Sequence, residues 1–223
     1  MTDERLDSGA FWKRCIAETL EGGIPDKWSD SIFDRDQPLA GSFLDLLREG
    51  STVLDFGCGL GRNALALAER GYDVHVCDVA DAGVRYCEER AALQDVMLRS
   101  VGYDGHEIEM ANGAVEGILA WSCLDHVTLD WARELADELT RVAAPGAALL
   151  VSFDEDRSDD PESESEIMDD GTHRYFGGRR AGMLFRPYTN EEIESLFDAG
   201  WELLEWEGAD TMVPRRALYR RLG

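Results

Sequence analysis

The stretch that most constrains what this chain can fold into is Val53-Leu54-Asp55-Phe56-Gly57-Cys58-Gly59-Leu60-Gly61-Arg62-Asn63. An apolar run ends in an acid, three glycines alternate with side-chain residues, and an Ala- and Leu-rich segment follows. The pattern predicts a strand, a tight turn and the start of a helix. Glycine lacks a Cβ, so its backbone can take positive φ and let a ligand come close. The helix that follows opens with unsatisfied N–H groups. A strand that delivers a ligand to a helix N-terminus is the basic device of doubly wound α/β folds. From Gly57 the spacing is G-x-G-x-G, and Arg62 stands where the third glycine of the dinucleotide fingerprint G-x-G-x-x-G would fall. Glycine-rich strand-to-helix turns also occur without a ligand, so the rest of the chain has to carry the argument.

The alternation around this turn is regular. A helix is expected over 39–47, stopped by Gly50. Strands are expected over 52–56, 72–77, 96–101, 114–121 and 147–153, and helices over 62–70, 80–93 and 129–143, the last closed by Pro145-Gly146. Strands alternating with helices mean βαβ units, right-handed crossovers and a parallel sheet. Ahead of this core, Phe11, Trp12, Cys15, Ile16 and Leu20 recur at helical spacing until Gly22-Gly23 and Pro25, with Trp28, Ile32 and Phe33 beyond. After it, residues 154–170 carry ten acidic side chains in seventeen positions and no apolar period, which predicts a solvated, mobile insertion. Thr189 and Glu192 have capping-box spacing. The last two strands, over 201–206 and 213–220, are expected to pair antiparallel.

Three further stretches add chemistry. Asp78 lies one residue past the apolar end of the second strand and 17 residues after Gly61. An acid there is placed to accept hydrogen bonds from both hydroxyls of a ribose, with Val79 beside it for a base face. Residues 104–119 begin with Asp104-Gly105, and residues 120–127 read Ala-Trp-Ser-Cys-Leu-Asp-His-Val. In open α/β sheets a ligand sits outside the carboxyl ends of the strands, at the switch point. Asp125 and His126 are therefore placed to touch a substrate. His126 has two readings, a general base or a residue that caps the next helix or packs beneath the loop. Arg174, Arg179, Arg180 and Arg186 either bind an anionic substrate or neutralise the acidic insertion before them. His75 falls in the second strand and reads as structural, whereas His106 and His173 are loop residues with no partner visible in the sequence.

The turn at 55–61 resembles motif I, D/E-x-G-x-G-x-G, of the class I S-adenosylmethionine-dependent methyltransferases. Residues 104–119 resemble that family's D-x-x-x-L-P-F-x-x-x-x-F-D-x-V segment, with Ile108-Glu109-Met110 in place of L-P-F and Val115-Glu116 in place of F-D. The resemblance covers roughly residues 45–153 by motif and 187–223 by architecture. It implies a Rossmann-like, doubly wound, mostly parallel seven-stranded sheet in the order 3-2-1-4-5-7-6 with the last strand antiparallel. One methyltransferase domain over 1–223 is expected: an N-terminal helical lid (1–40), a cofactor core (41–153), an acidic insertion and substrate-side segment (154–187) and a C-terminal helix and strands (188–223). S-adenosylmethionine is the implied cofactor and S-adenosylhomocysteine the product. The implied cofactor-binding residues are Asp55, Gly57, Cys58, Gly59, Gly61 and Asn63, then Asp78 and Val79, then Asp104, Gly105, Trp121 and Ser122. Asp55 would hold the methionyl amino group and Asp104 the adenine amino group. For Asp104 a turn aspartate before Gly105 is the other reading. The expected reaction is methyl transfer to a small-molecule acceptor by a monomer or homodimer. A SAM-binding sensor or scaffold, or a nicotinamide-dependent oxidoreductase, are the alternatives.

Composition narrows the partners. The 223 residues carry a net charge of −24, with Lys13 and Lys27 as the two lysines among 22 basic residues. Few cations are available to release counterions from a nucleic acid, so no nucleic acid partner is expected. No apolar run approaches the ~20 residues of a membrane span, and the acidic start lacks a signal-peptide layout. A cytoplasmic protein is expected. The five cysteines, with no C-x-x-C pair, imply reduced thiols and no metal site. An acid-rich, lysine-poor surface is the composition of a protein adapted to molar salt. Self-repulsion destabilises such a chain at low ionic strength, and at 1 M salt the Debye length shrinks to ~3 Å. The midpoint of thermal unfolding is therefore expected to rise between dilute buffer and molar KCl; a midpoint that stays level would remove the halophilic reading.

Overall fold

The computed structural model describes residues 4–24, 30–34, 37–154, 162–208 and 215–223. In chain order its elements are α1 (Glu4–Gly22), α2 (Pro38–Asp45), β1 (Thr52–Phe56), α3 (Arg62–Glu69), β2 (Asp73–Cys77), α4 (Asp81–Leu93), β3 (Leu98–Ser100) and β4 (Val115–Trp121). There follow α5 (Leu129–Val142), β5 (Ala143–Phe153), β6 (Ser165–Ile167), β7 (His173–Tyr175), β8 (Leu184–Phe185), α6 (Asn190–Leu196), β9 (Trp201–Glu207) and β10 (Arg215–Arg221).

Seven of these strands form one sheet in the order β3-β2-β1-β4-β5-β10-β9. The first five are parallel, and β10 runs antiparallel to both of its neighbours. This is the sheet that the resemblance implies. Successive side chains of a strand point to opposite faces, and here both faces are covered, so the strands read as nearly continuous apolar runs. Leu54, Ile118 and Leu149 pack against Trp131, Leu135 and Leu139 of α5 and Phe197 after α6. Their neighbours Val53, Leu119 and Leu150 pack the other way, on Phe43 of α2 and Ala64 and Leu67 of α3. The switch point between β1 and β4 opens between these two layers.

Two segments differ from the sequence-based expectation. The fifth strand begins at Ala143, directly after α5, and not at Ala147. Pro145-Gly146 lies inside it, where the register jumps from Val115 opposite Ala143 to Gly117 opposite Ala148. A bulge tolerates a proline without an N–H and a glycine at φ 84°. The acidic insertion is also not wholly irregular. Ser165–Ile167 pairs antiparallel with β7, which pairs with β8, in a small second sheet. All three residues of β6 are exposed, so no apolar period marks it. Residues 155–161 of the insertion, and Trp28, lie outside the described residues. The capping box of α6 is present as expected, with Thr189 accepting from the Glu192 N–H and Glu192 from the Thr189 N–H.

α1 holds the two parts together. Phe11 packs with Tyr175, Met183 and Phe185 of the small-sheet region, and Ile16 with Leu60 and Ala80 at the carboxyl ends of β1 and β2. Beneath it α4 runs against the glycine turn. A Cβ on Gly83 would strike the Gly59 carbonyl oxygen, whereas one on Gly41 in α2 would meet nothing within 4 Å. Replacing a helical glycine by alanine ordinarily stabilises by ~0.5–1 kcal/mol. Gly41→Ala is expected to do so, and Gly83→Ala is expected to destabilise instead. Chemical denaturation of the two variants measures both signs.

Candidate functional site

At the carboxyl ends of β1, β2, β4 and β5 lies a cavity of about 320 Å³, within the size range of small-molecule and cofactor pockets. The strands deliver Asp55 and Phe56, Asp78 and Val79, Trp121 and Ser122, and Asp154. α1 closes it with Ser8, Gly9, Trp12 and Ile16.

The three glycines of the turn share positive φ but divide the work. Gly57 (φ 70°) sits where a Cβ would meet the Cβ of Cys123 at 2.9 Å. Gly61 (φ 75°) sits where a Cβ would strike the Cys87 sulfur. These two let the loop after β4 and helix α4 close on the turn. Gly59 (φ 55°) would place a Cβ with nothing within 4 Å. Gly59, Gly57 and Cys58 line the cavity, whereas Gly61 does not, being turned to α4. The N–H groups of Gly57 and Cys58 both donate to the Cys77 carbonyl (2.9 and 3.1 Å), and that of Gly61 to Cys58 (2.9 Å). The glycines offer a ligand room, while their amides hold the turn.

Asp55, Asp78 and Asp154, with Arg62 as the opposing cation, give the cavity its charge. Asp78 Oδ2 accepts from the Gly59 N–H (2.9 Å) and Oδ1 from the Ala80 N–H (2.8 Å). A carboxylate has about four acceptor positions, so each oxygen keeps one for a ligand hydroxyl. Burial raises the Asp78 pKa against these two amides. Asp55 is 2% exposed, and its Oδ2 is buried without a hydrogen-bond partner. Burial pushes its pKa up to about 7, against the pull of the Ala64 N–H and with a push from Asp78. An orphaned buried carboxyl beside a second acid suits a ligand that brings positive charge.

The remaining expected residues divide. Val79, Trp121 and Ser122 line the cavity. Ser122 takes φ 51°, and its N–H donates to Ser152 Oγ (2.8 Å). Asn63 lines it too, but its Oδ1 already accepts from Ser31 Oγ (3.2 Å) and the Ile32 N–H (3.1 Å), tying down the segment after α1. Asp104 and Gly105 are not on the cavity wall. Asp104 is exposed and accepts from the N–H groups of His106 and Glu107, both at 2.9 Å, in the manner of a turn aspartate. Those amides, Glu107 first, hold its carboxyl below the usual range. The Gly105 carbonyl accepts from the Trp131 indole N–H (2.8 Å). Tyr103, one residue earlier, is the residue that reaches the cavity, its ring 5.2 Å from Phe56.

In the loop after β4 the two candidates part. Asp125 turns inward, fully buried, accepting from the Asp154 N–H at 2.8 Å. His126 lines the cavity. None of the four clustered arginines reaches the cavity wall. Arg186 pairs with Asp170 and Glu192, and Arg174 lies 3.9 Å from Glu166, so these two neutralise acids. Several lining residues were not legible. Trp131 and Leu135 belong to the apolar stripe of α5, which sequence cannot tell from core. Asp154 carries the same signal as Asp78, an acid directly after a strand, but runs into the acidic insertion and is masked by it. The described residues hold no group of three or more His, Cys, Asp or Glu side chains that could bind a metal. The five cysteines are free thiols.

Residues 53–146 match the family model of a methyltransferase domain. A malonyl-acyl-carrier-protein O-methyltransferase from Salmonella typhimurium is 32% identical over 122 residues, 52% of this chain and 44% of that protein. A tRNA (carboxymethyluridine(34)-5-O)-methyltransferase from Arabidopsis thaliana is 28% identical over 116 residues, 52% of this chain and 27% of that protein. The match thus spans less than half the length of these curated relatives. Among solved structures, the 1,6-didemethyltoxoflavin-N1-methyltransferase of Burkholderia thailandensis, with 1,6-didemethyltoxoflavin and S-adenosylhomocysteine bound, superposes with a TM-score of 0.71 at 20% identity, covering 96% of this chain and 88% of that one. The fold is the Rossmann-like methyltransferase fold, and S-adenosylmethionine is the cofactor that the matched domain implies.

The residues present fit that cofactor. Asp55 has an unpartnered oxygen for an ammonium group, Gly59 leaves open space beside it, and Asp78 keeps acceptor positions for ribose hydroxyls. The orphaned Asp55 sets a pH dependence. Below about pH 7 the folded protein holds this carboxyl protonated, and a ligand ammonium favours its ionised form, so binding must release a proton there. Affinity for S-adenosylhomocysteine is expected to rise from about pH 6 to about pH 7 and then level off. Asp55→Asn is expected to bind more weakly and without that rise. Calorimetric titration across the range measures both.

Proposed function

We propose that the protein is an S-adenosylmethionine-dependent methyltransferase acting on a small-molecule acceptor. One observation carries the reading: a single cavity gathers Asp55, the glycine turn, Asp78 and the loop after β4, and α1 closes over its far side. When bound, the cofactor supplies an electrophilic methyl group on a sulfonium. Asp55 pairs with its amino group, Gly59 gives room for its chain, and Asp78 accepts from its ribose hydroxyls. Val79 and Tyr103 take the base between apolar surfaces. Trp12 and Trp121 exclude water, which favours a reaction in which the positive charge disappears. Positioning within this enclosure supplies much of the rate.

A small acceptor fits an enclosed cavity better than a macromolecule does, and a chain of net charge −24 repels nucleic acid. The relatives differ in acceptor, so the acceptor class rests on these physical grounds. We read α1, within the 1–40 segment expected as a lid, as that lid because Ser8, Gly9, Trp12 and Ile16 wall the cavity. The N–H of Gly59 is spent on Asp78, which is poor provision for a nicotinamide dinucleotide's pyrophosphate. This speaks against the oxidoreductase alternative.

Calorimetry with S-adenosylhomocysteine and with NAD tests the reading. Binding of the first and none of the second is expected; the reverse would overturn it. Asp78→Ala removes charged acceptors worth roughly 1.5–3 kcal/mol, so affinity for S-adenosylhomocysteine is expected to fall by about ten- to a hundredfold. Unchanged affinity would remove Asp78 from the ribose. Tight binding with no methyl transfer to any class of acceptor would point to a sensor.

A further inference from the structure

One end of the cavity is left over once the cofactor contacts are assigned. It is walled by Ser8, Gly9 and Trp12 of α1, Trp121, His126 and Asp154. Its surface is largely aromatic. The Trp12 and His126 rings meet edge to face at 4.6 Å, and Trp121 is stacked from behind by the Arg216 guanidinium at 5.3 Å. Gly9 adds no side chain here, and a Cβ on it would meet nothing within 4 Å. An aromatic wall with open room beside Gly9 makes this part of the cavity a slot suited to a flat ring.

His126 is held in one tautomer. Its Nδ1 lies 3.2 Å from the Leu184 carbonyl oxygen. A carbonyl can only accept, so Nδ1 carries the proton and Nε2 carries the lone pair. The backbone is pinned as well, since Ser8 Oγ donates to the His126 carbonyl at 2.9 Å, and Phe185 of β8 supports the ring at 5.8 Å. A histidine whose second nitrogen and main chain are both anchored, on the wall of a reaction cavity, is oriented as a base. The ionisable groups around it are Asp125, buried beneath, and Asp154 at the end of β5, whose N–H donates to Asp125. Arg186 closes the ring, its N–H donating to the Asp125 carbonyl at 2.7 Å. α1 contributes Ser8 and Trp12 on this side.

We propose that this slot is the acceptor subsite, that it takes a planar aromatic bearing a hydroxyl group, and that His126 Nε2 is the general base that removes the hydroxyl proton. The inference rests on the methyltransferase reading of the cavity. The acceptor oxygen gives its proton to Nε2 and forms the new O–C bond. The S–C bond breaks with its electron pair remaining on sulfur. The imidazolium then returns its proton to water. Asp125 and Asp154 stabilise the imidazolium in the interval. A phenol needs this help because its hydroxyl is largely protonated near neutral pH.

The probe is para-nitrophenol, whose visible band reports the phenolate, titrated into the protein saturated with S-adenosylhomocysteine. With the native protein the band is expected to appear on binding at pH values where the free phenol is protonated. His126→Asn keeps an amide donor for the Leu184 carbonyl and lacks the basic nitrogen. It is expected to retain S-adenosylhomocysteine binding and lose the band. Trp12→Ala is expected to weaken phenol binding by about tenfold, the worth of one buried aromatic contact, and to weaken S-adenosylhomocysteine binding by less than that. A band that survives in His126→Asn, or a saturated native protein that takes up no phenol, would overturn the proposal. Failure of the native protein to bind S-adenosylhomocysteine would instead overturn the reading beneath it, and a variant that failed to fold would show itself by losing that binding.

Discussion

The structure depends on how closely its neighbours press on the turn between β1 and α3. Cys123 reaches the place where Gly57 would carry a Cβ, Cys87 the place where Gly61 would, and Gly83 of α4 meets the Gly59 carbonyl. Three positions on two elements, Gly57 and Gly61 of the turn and Gly83 of α4, must all do without bulk for the sheet, α4 and the loop after β4 to converge. Packed interiors resist even one added methylene, so the turn acts as a keystone as much as a ligand cradle. Only Gly59 among the motif's glycines faces open space. Two of the motif's three glycines are thus a record of packing, and its ligand-directed content lies in Asp55 and Gly59.

Charge makes the site directional. Two carboxyls, Asp55 and Asp78, face the same cavity, and Asp78 adds to the burial that pushes Asp55 toward its protonated form. Asp78 is compensated by two backbone amides. Asp55 receives one helix-terminal N–H from Ala64 and leaves Oδ2 orphaned. An unpaired buried acid destabilises the free protein, and a ligand that brings an ammonium to Asp55 relieves it. The cost falls on the ligand-free state, and relieving it is part of what the site offers a cation. The acidic exterior works differently. Its charges are solvated and screened by salt, so they set solubility and partner class and leave the cavity's chemistry alone.

Much of this was legible in the sequence because parallel sheets write themselves plainly. A strand buried on both faces is an apolar run, and Thr52–Phe56 and Val115–Trp121 are nearly pure cases. Asp78 was legible by position alone, an acid just past such a run. Asp104 was legible only as a choice between two roles, and its Oδ1 accepts the amides of its own turn. β6 was not legible at all, because three exposed residues paired through backbone leave no hydrophobic trace. The start of β5 was hidden by Pro145-Gly146, which usually ends an element and here sits in a bulge. Tyr103, Trp131 and Leu135 escaped because an apolar side chain facing a cavity has the same sequence signature as one facing the core.

The helix α1 links the two kinds of content. Phe11 and Ile16 are core residues, on the small-sheet cluster and on the turn respectively. Ser8 and Trp12, one helical turn apart, hold the His126 main chain and meet its ring. The same element therefore packs on the cofactor turn and on the loop that would face an acceptor. A single helix thus supplies one wall to both the glycine turn and the loop after β4, so a change in its position would be felt at both ends of the cavity.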